Sequence, residues 1–246
     1  MEVTKKINDL KSYKRRLDFE IVADLVKEGS RVLDLGCANG DLIQLLIEKK
    51  KVNAAGVEIL EDKVAAAIKK GLSVYHGNID EGLSDYDDNF FDYIILSQTL
   101  QEASNPSFVL NEMLRAGKQV IVSFPNFSYW QMRVKLFFMG KISNTPPLYY
   151  QLQQSPNMHM ITLSDFRDYC LQNNITILKE IPIHLANQPF ASLLTKLHAN
   201  LFAQYGIYLL KRELSDVPDQ QRKDKGFHRE DLFLENSILG RKQYLL

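Results

Sequence analysis

Apolar positions along this chain switch repeatedly between two periods. Leu17, Ile21, Val22, Leu25 and Val26 recur at helical spacing and stop at Gly29, and Arg31 to Leu35 then forms a short run that reads as a strand. The alternation continues with a helix over Asp41 to Lys49, a strand over Val52 to Glu58, and a helix over Glu61 to Lys70 with Gly71 as its C′ residue. A third strand covers Leu72 to His76 and a fourth, strongly apolar, Phe91 to Leu96. Pro106 suits the first turn of a helix running to about Ala116, and Lys118 to Phe124 is a fifth strand. Strand and helix in strict alternation demand a parallel sheet with helices on both faces, because a parallel connection must cross over the sheet.

The second half changes rhythm. Tyr129 to Phe138 is an aromatic-rich helical pattern ending at Gly140, and Lys141 to Met160 is an irregular segment holding Pro146, Pro147, Tyr149, Tyr150 and His159. A connection of that length in a compact domain is more often a lid or binding element than an idle link. Ser164 is a plausible N-cap for a helix over Asp165 to Gln172. Thr176 to Ile183 is a strand, Pro189 to His198 a helix, and Gly206 to Arg212 a last strand. The fold class expected is α/β, a doubly wound, mostly parallel seven-stranded sheet. Residues 1–16 form a polar, basic N-terminal segment, 17–212 the domain, and 213–246 an extension with a charged start and an apolar end.

Between the first strand and the next helix lies Asp34-Leu35-Gly36-Cys37-Ala38-Asn39-Gly40. Such a turn aims backbone N–H groups and a helix N-terminus at one spot outside the sheet, and glycine lets a ligand approach the main chain. Glu58, at the tip of the second strand, can accept both hydroxyls of a ribose. A dinucleotide fingerprint would need glycine at 38 and a small residue at 41, where Ala38 and Asp41 stand, and no G-K-[ST] follows for a P-loop. A loop led by the carboxylate of Asp34 suits a ligand with an ammonium group and little phosphate charge. S-adenosylmethionine is one, and D-x-G-x-A-x-G with Glu58 downstream resembles motifs I and II of class I methyltransferases. The bland alternative is a doubly wound domain whose turn is merely glycine-rich.

Composition narrows the partners. The chain of 246 residues is 45% hydrophobic and 24% charged, ordinary globular material, and its 30 basic residues balance 30 acidic ones, so no global field draws it to nucleic acid or membrane. Its two cysteines, Cys37 and Cys170, give neither a metal spacing nor a disulfide framework, which fits a reducing cytoplasm. No apolar run long enough to span a bilayer occurs. The acidic residues of Asp80 to Asp92 read as a solvated loop or short helix.

Several segments carry a narrower resemblance: Arg31 to Gly40, Gly56-Val-Glu-Ile59, Phe91 to Gln101 with its Leu-Ser-Gln-Thr-Leu-Gln, Ile121-Val-Ser-Phe-Pro-Asn-Phe127, and Pro156-Asn-Met-His onward to Phe166. Together they are similar to the MetW family of methionine-biosynthesis proteins from about Leu17 to Arg212. That family commonly has glycine where Ala38 stands. The resemblance implies S-adenosylmethionine, or S-adenosylhomocysteine, as ligand, with its amino-acid end near Asp34, Gly36, Cys37, Ala38 and Gly40. The ribose would lie at Glu58 with Ile59 beside it, and the adenine edge around Asn78, Ile79, Ser97 and Gln98. It further implies a supporting role beside homoserine O-acyltransferase (MetX); the surface expected to contact that partner is Asn126 to Gly140 with Lys141 to Met160, because aromatic and methionine side chains supply most of the energy at protein interfaces. The alternative is a methyltransferase acting on an unidentified small molecule, for which His159, Tyr149 and Tyr150 are the acid–base candidates. The Pro125-Asn126-Phe127 element only superficially resembles the substrate-orienting motif of aminomethylating enzymes, because it follows the fifth strand and not the fourth. No metal-ligating cluster is expected.

Overall fold

A computed structural model describes residues 17–140, 159–184 and 198–212. The apolar runs become strands β1 (Arg31–Leu35), β2 (Asn53–Glu58), β3 (Ser73–His76), β4 (Phe91–Ser97), β5 (Gly117–Pro125), β6 (Ile175–Ile183) and β7 (Tyr205–Arg212). They build one seven-stranded sheet in the order β3-β2-β1-β4-β5-β7-β6, in which β7 runs antiparallel to both of its neighbours and the pairs from β3 to β5 are parallel. The order reverses between β1 and β4, so the crevice at the carboxyl ends of those two strands is where such sheets bind ligands.

Helices cover both faces: α1 (17–25), α2 (Asp41–Lys50), α3 (Glu61–Lys69), α4 (Pro106–Ala116), α5 (Trp130–Met139), α6 (Leu163–Gln172) and the short α7 (Ala199–Phe202). Strand alternation sorts the core into two layers. Leu33, Leu35, Ile94, Leu96, Val120 and Val122 pack with Leu110, Met113 and Phe166, whereas Val32, Tyr93, Ile95 and Ile121 pack with Val22, Val26, Ile43, Leu46 and Ala67. Strands buried on both faces explain why their sequences read as nearly unbroken apolar runs.

Three local expectations need correction. The N-cap of α6 is Thr162, whose Oγ1 accepts from Asp165 N at 3.1 Å, and not Ser164, whose own N–H donates to Asn200 Oδ1. The acidic stretch before β4 is only partly solvated. Asp80 accepts from the N–H groups of Ser104 and Asn105, and Arg115 pairs with Asp88 and Glu112 while donating to the carbonyls of Leu83 and Tyr86. Asn126, expected at the start of the partner-contacting surface, is instead a structural tie: fully buried, it donates to the carbonyls of Asn200 and Ala203 and accepts from Ser128 N. The helix expected over Pro189 to His198 lies outside the described residues except for His198, which precedes α7. Lys141 to Asn157, Met158, the N-terminal segment and the extension also lie outside them.

Candidate ligand-binding site

The loop after β1 is tight, and most of its backbone donors are already used. Gly36 and Cys37 both donate to the Val57 carbonyl, at 2.8 and 3.1 Å, Gly40 donates to Cys37 O, and Ala38 donates to Glu58 Oε2 at 2.8 Å. The expected cluster of N–H groups aimed at a ligand is therefore largely spent on β2 and Glu58. A phosphate would find few donors in the loop itself. What the loop offers is a pair of buried carboxyl groups: Asp34 and Glu58 are 2% and 5% exposed, and the Asp34 carboxyl has no hydrogen bond or ion pair among the described residues. Burial, and secondarily the Glu58 charge, pushes the Asp34 carboxyl up to about 8. Two carboxylates so placed favour a cationic ligand.

Local geometry explains the residue choices. Gly36 has φ +70°, and a Cβ there would meet Thr99 Oγ1 at 2.8 Å, so the loop lies directly on the turn after β4. Ala38 has φ +48°, a conformation a side chain enters at a cost of about 1–2 kcal/mol and which the bond to Glu58 helps to hold. Cys37 points inward against Gly56, where an added Cβ would lie 2.5 Å from its sulfur. Burial and the nearby Asp34 and Glu58 charges push its thiol up to about 12, so this cysteine packs and does not react. Glu58 holds the loop with one carboxylate oxygen and accepts from Leu60 N with the other, at 3.0 Å. Each oxygen retains a further acceptor direction.

The remaining expected residues come to the same end of the sheet. Ile59 follows β2 and is exposed, and His76 Nε2 reaches the Ile59 carbonyl at 2.9 Å. Asn78 Oδ1 caps the turn Ile79–Glu81 by accepting from Asp80 N, so its carbonyl oxygen is engaged and its NH₂ group has no partner among the described residues. Ser97, the last residue of β4, shares a hydroxyl contact with Ser123, and Gln98, at φ +55°, donates its N–H to the Ser123 carbonyl. A cavity of about 270 Å³ beside these tips is lined by Leu35, Val57, Tyr75, Asn78, Ile79 and Tyr86 among others. Of the expected site residues it gathers Asn78 and Ile79. Asp34, Glu58, Ser97 and Gln98 lie outside its wall.

Three participants escape a reading of the sequence. Asp18 of α1 is 1% exposed and receives the Gln98 side-chain amide. Its signal is its place four residues before Val22, on the buried stripe of α1. Gln101 is equally buried; its Nε2 donates to Gln98 O at 2.7 Å and its Oε1 has no partner among the described residues. Gln101 also accepts from His159 N through its backbone carbonyl, which brings His159 to this loop. Thr99 is the side chain that glycine at 36 accommodates. No cluster of metal-ligating side chains occurs among the described residues, nor a helix long and apolar enough to cross a membrane.

A mostly parallel seven-stranded sheet with β7 inserted antiparallel, a glycine-bearing loop after β1 and an acidic tip on β2 define the fold of class I S-adenosylmethionine-dependent methyltransferases. A putative methyltransferase of this kind from Listeria monocytogenes superposes with a TM-score of 0.61 at 14% identity, covering 83% of this chain and 99% of that one. The chain belongs to the MetW family, whose model, "Methionine biosynthesis protein MetW", matches residues 16–210. It is 34% identical over 174 residues to the bifunctional methionine biosynthesis protein MetXA/MetW of Rhodopirellula baltica, covering 67% of this chain and 28% of that protein. It is 33% identical over 102 residues to the demethylmenaquinone methyltransferase of Shouchella clausii, covering 38% and 43%. The chain thus spans less than half the length of these curated relatives.

Proposed function

We propose that this protein binds S-adenosylmethionine and, through it, supports a homoserine O-acyltransferase in methionine biosynthesis. The observation carrying the partner is the Rhodopirellula relative, in which MetXA and MetW are joined in one polypeptide. Two such activities in one chain work at a fixed stoichiometry and high effective concentration, as a bound subunit would. Asp34 and Glu58 support the ligand: a buried carboxylate without a described partner suits an ammonium, and Glu58 has acceptor capacity for a ribose diol. When bound, S-adenosylmethionine supplies a sulfonium methyl group and reports the level of the pathway's product. Asp34 would hold the ammonium, Glu58 the ribose, and Asn78 the base edge through its free NH₂.

The similarity to demethylmenaquinone methyltransferase favours a second reading, methyl transfer to a small molecule. His159, exposed and tied by its backbone to Gln101, is the described acid–base candidate, and proximity alone can drive such a transfer. One experiment separates the readings: assay the purified acyltransferase with and without this protein, each with and without S-adenosylmethionine. Ligand-dependent stimulation supports the first reading. Absence of stimulation, with S-adenosylhomocysteine formed in the presence of a cell metabolite extract, moves the assignment to the second.

A further inference from the structure

Helix α5 is anchored at its foot and bare along the rest. Tyr129 and Met132 are buried, Tyr129 N and Met132 N bond to the Asn126 and Tyr129 carbonyls, and Phe127 N donates to Ile161 O, so the helix leaves the body at a fixed angle. Beyond that foot its apolar side chains are exposed: Phe137 is 81% exposed, Phe138 76% and Met139 66%, with Val134 and Leu136 about half exposed, and Trp130 within the foot is 40% exposed as well. From the size of such side chains, this patch is on the order of 600 Å², large for a monomer and most of what one side of a standard interface contributes.

Its shape says what fits it. Leu136, Phe137, Phe138 and Met139 are consecutive, and at about 100° per residue they surround the helix instead of forming one stripe. A flat surface, whether lipid or protein, would touch only part of that circumference; a groove would enclose the turn. The charged side chains of α5 are Arg133 and Lys135, both basic, and Arg133 Nε is held by Ser128 O at 2.7 Å. We propose that α5 is a docking helix whose occupant is a deep apolar groove rimmed by carboxylates, on the homoserine O-acyltransferase. The inference rests on the proposed function for the partner's identity and on α5 for the surface.

The test uses the full chain as wild type, as Phe137→Ser/Phe138→Ser and as Lys135→Glu, with purified acyltransferase. Calorimetric binding of S-adenosylmethionine, unchanged by these substitutions, shows that the variants are folded. Wild type should bind the acyltransferase, the double variant should bind at least tenfold more weakly, and Lys135→Glu should associate more slowly, most visibly at low salt. Equal binding by wild type and double variant overturns the α5 assignment and leaves the proposed function standing. No binding by wild type overturns the proposed function itself. Dimerisation of wild type alone, or adsorption to vesicles containing anionic lipid, abolished in either case by the double substitution, overturns the occupant and replaces it with a second copy or a lipid surface.

Discussion

Titrating the ligand site exposes its chemistry. With the Asp34 carboxyl raised to about 8 in the free protein, only about one molecule in ten carries the charged form at pH 7, and about one in a hundred at pH 6. If the bound state pairs carboxylate with ammonium, affinity falls about tenfold per pH unit below 8, or about 1.4 kcal/mol each, and binding releases a proton. The ligand's own α-amino group loses its proton in the same range, so affinity should peak near pH 8 and decline on both sides. Calorimetry between pH 6 and 9, in buffers of different ionisation enthalpy, counts the proton directly. The free protein provides an independent check. Because the folded-state value lies above the unfolded one, the unfolded chain gives up its proton first, and this group's contribution to stability is complete below about pH 4 and lost as pH rises through 8. Asp34→Asn should therefore abolish measurable binding yet stabilise the ligand-free protein at pH 8.5 by at least about 1 kcal/mol, about 2–4 °C in melting temperature, with the advantage shrinking as pH falls and gone below about pH 4. Flat affinity from pH 6 to 8 with no buffer-dependent heat, or a variant less stable than wild type at pH 8.5, would refute the reasoning.

Three further outcomes are expected. Ala38→Gly should be neutral to stabilising by up to about 1 kcal/mol in chemical denaturation, because relief of positive-φ strain offsets the entropy glycine adds to the unfolded chain. Gly56→Ala should cost about 1–3 kcal/mol by pushing a methyl into Cys37 and Ile43, and Cys37→Ala in the same chain should recover part of that loss, a coupling a double-mutant cycle reads directly. Asn126→Ala should cost about 2–4 kcal/mol, seen as a lowered unfolding midpoint, since it orphans one buried carbonyl, one partly buried carbonyl and one N–H group.

Much of the fold was readable because the sheet is buried on both faces: runs such as Val32 to Leu35 and Tyr93 to Leu96 stay apolar at every position but Asp34, and helices between them keep a different period. Asp34 and Glu58 were readable for the same reason, as charges at the ends of runs that exclude charge. What escaped depends on partners distant in sequence. Nothing local says that Gly36 and Cys37 will spend their N–H groups on Val57, some twenty residues on. Ser164 and Thr162 are equally good caps by type, and only Asn200 Oδ1, 36 residues away, decides between them. The buried amide of Gln101 lay inside a motif recognised as a string, before its individual side chains had places.

Glu58 bears on how fast a ligand enters. Its two oxygens hold the loop at Ala38 and the start of α3 at Leu60 before any ligand arrives, so the loop's ordering entropy is already spent when the chain folds. Capture then needs no slow rearrangement of the loop: association should be a single fast phase, with differences among related ligands falling on dissociation. Loss of the Glu58 carboxylate would thus be felt twice, once as a missing ribose contact and once as a receptor that must be assembled anew at each encounter.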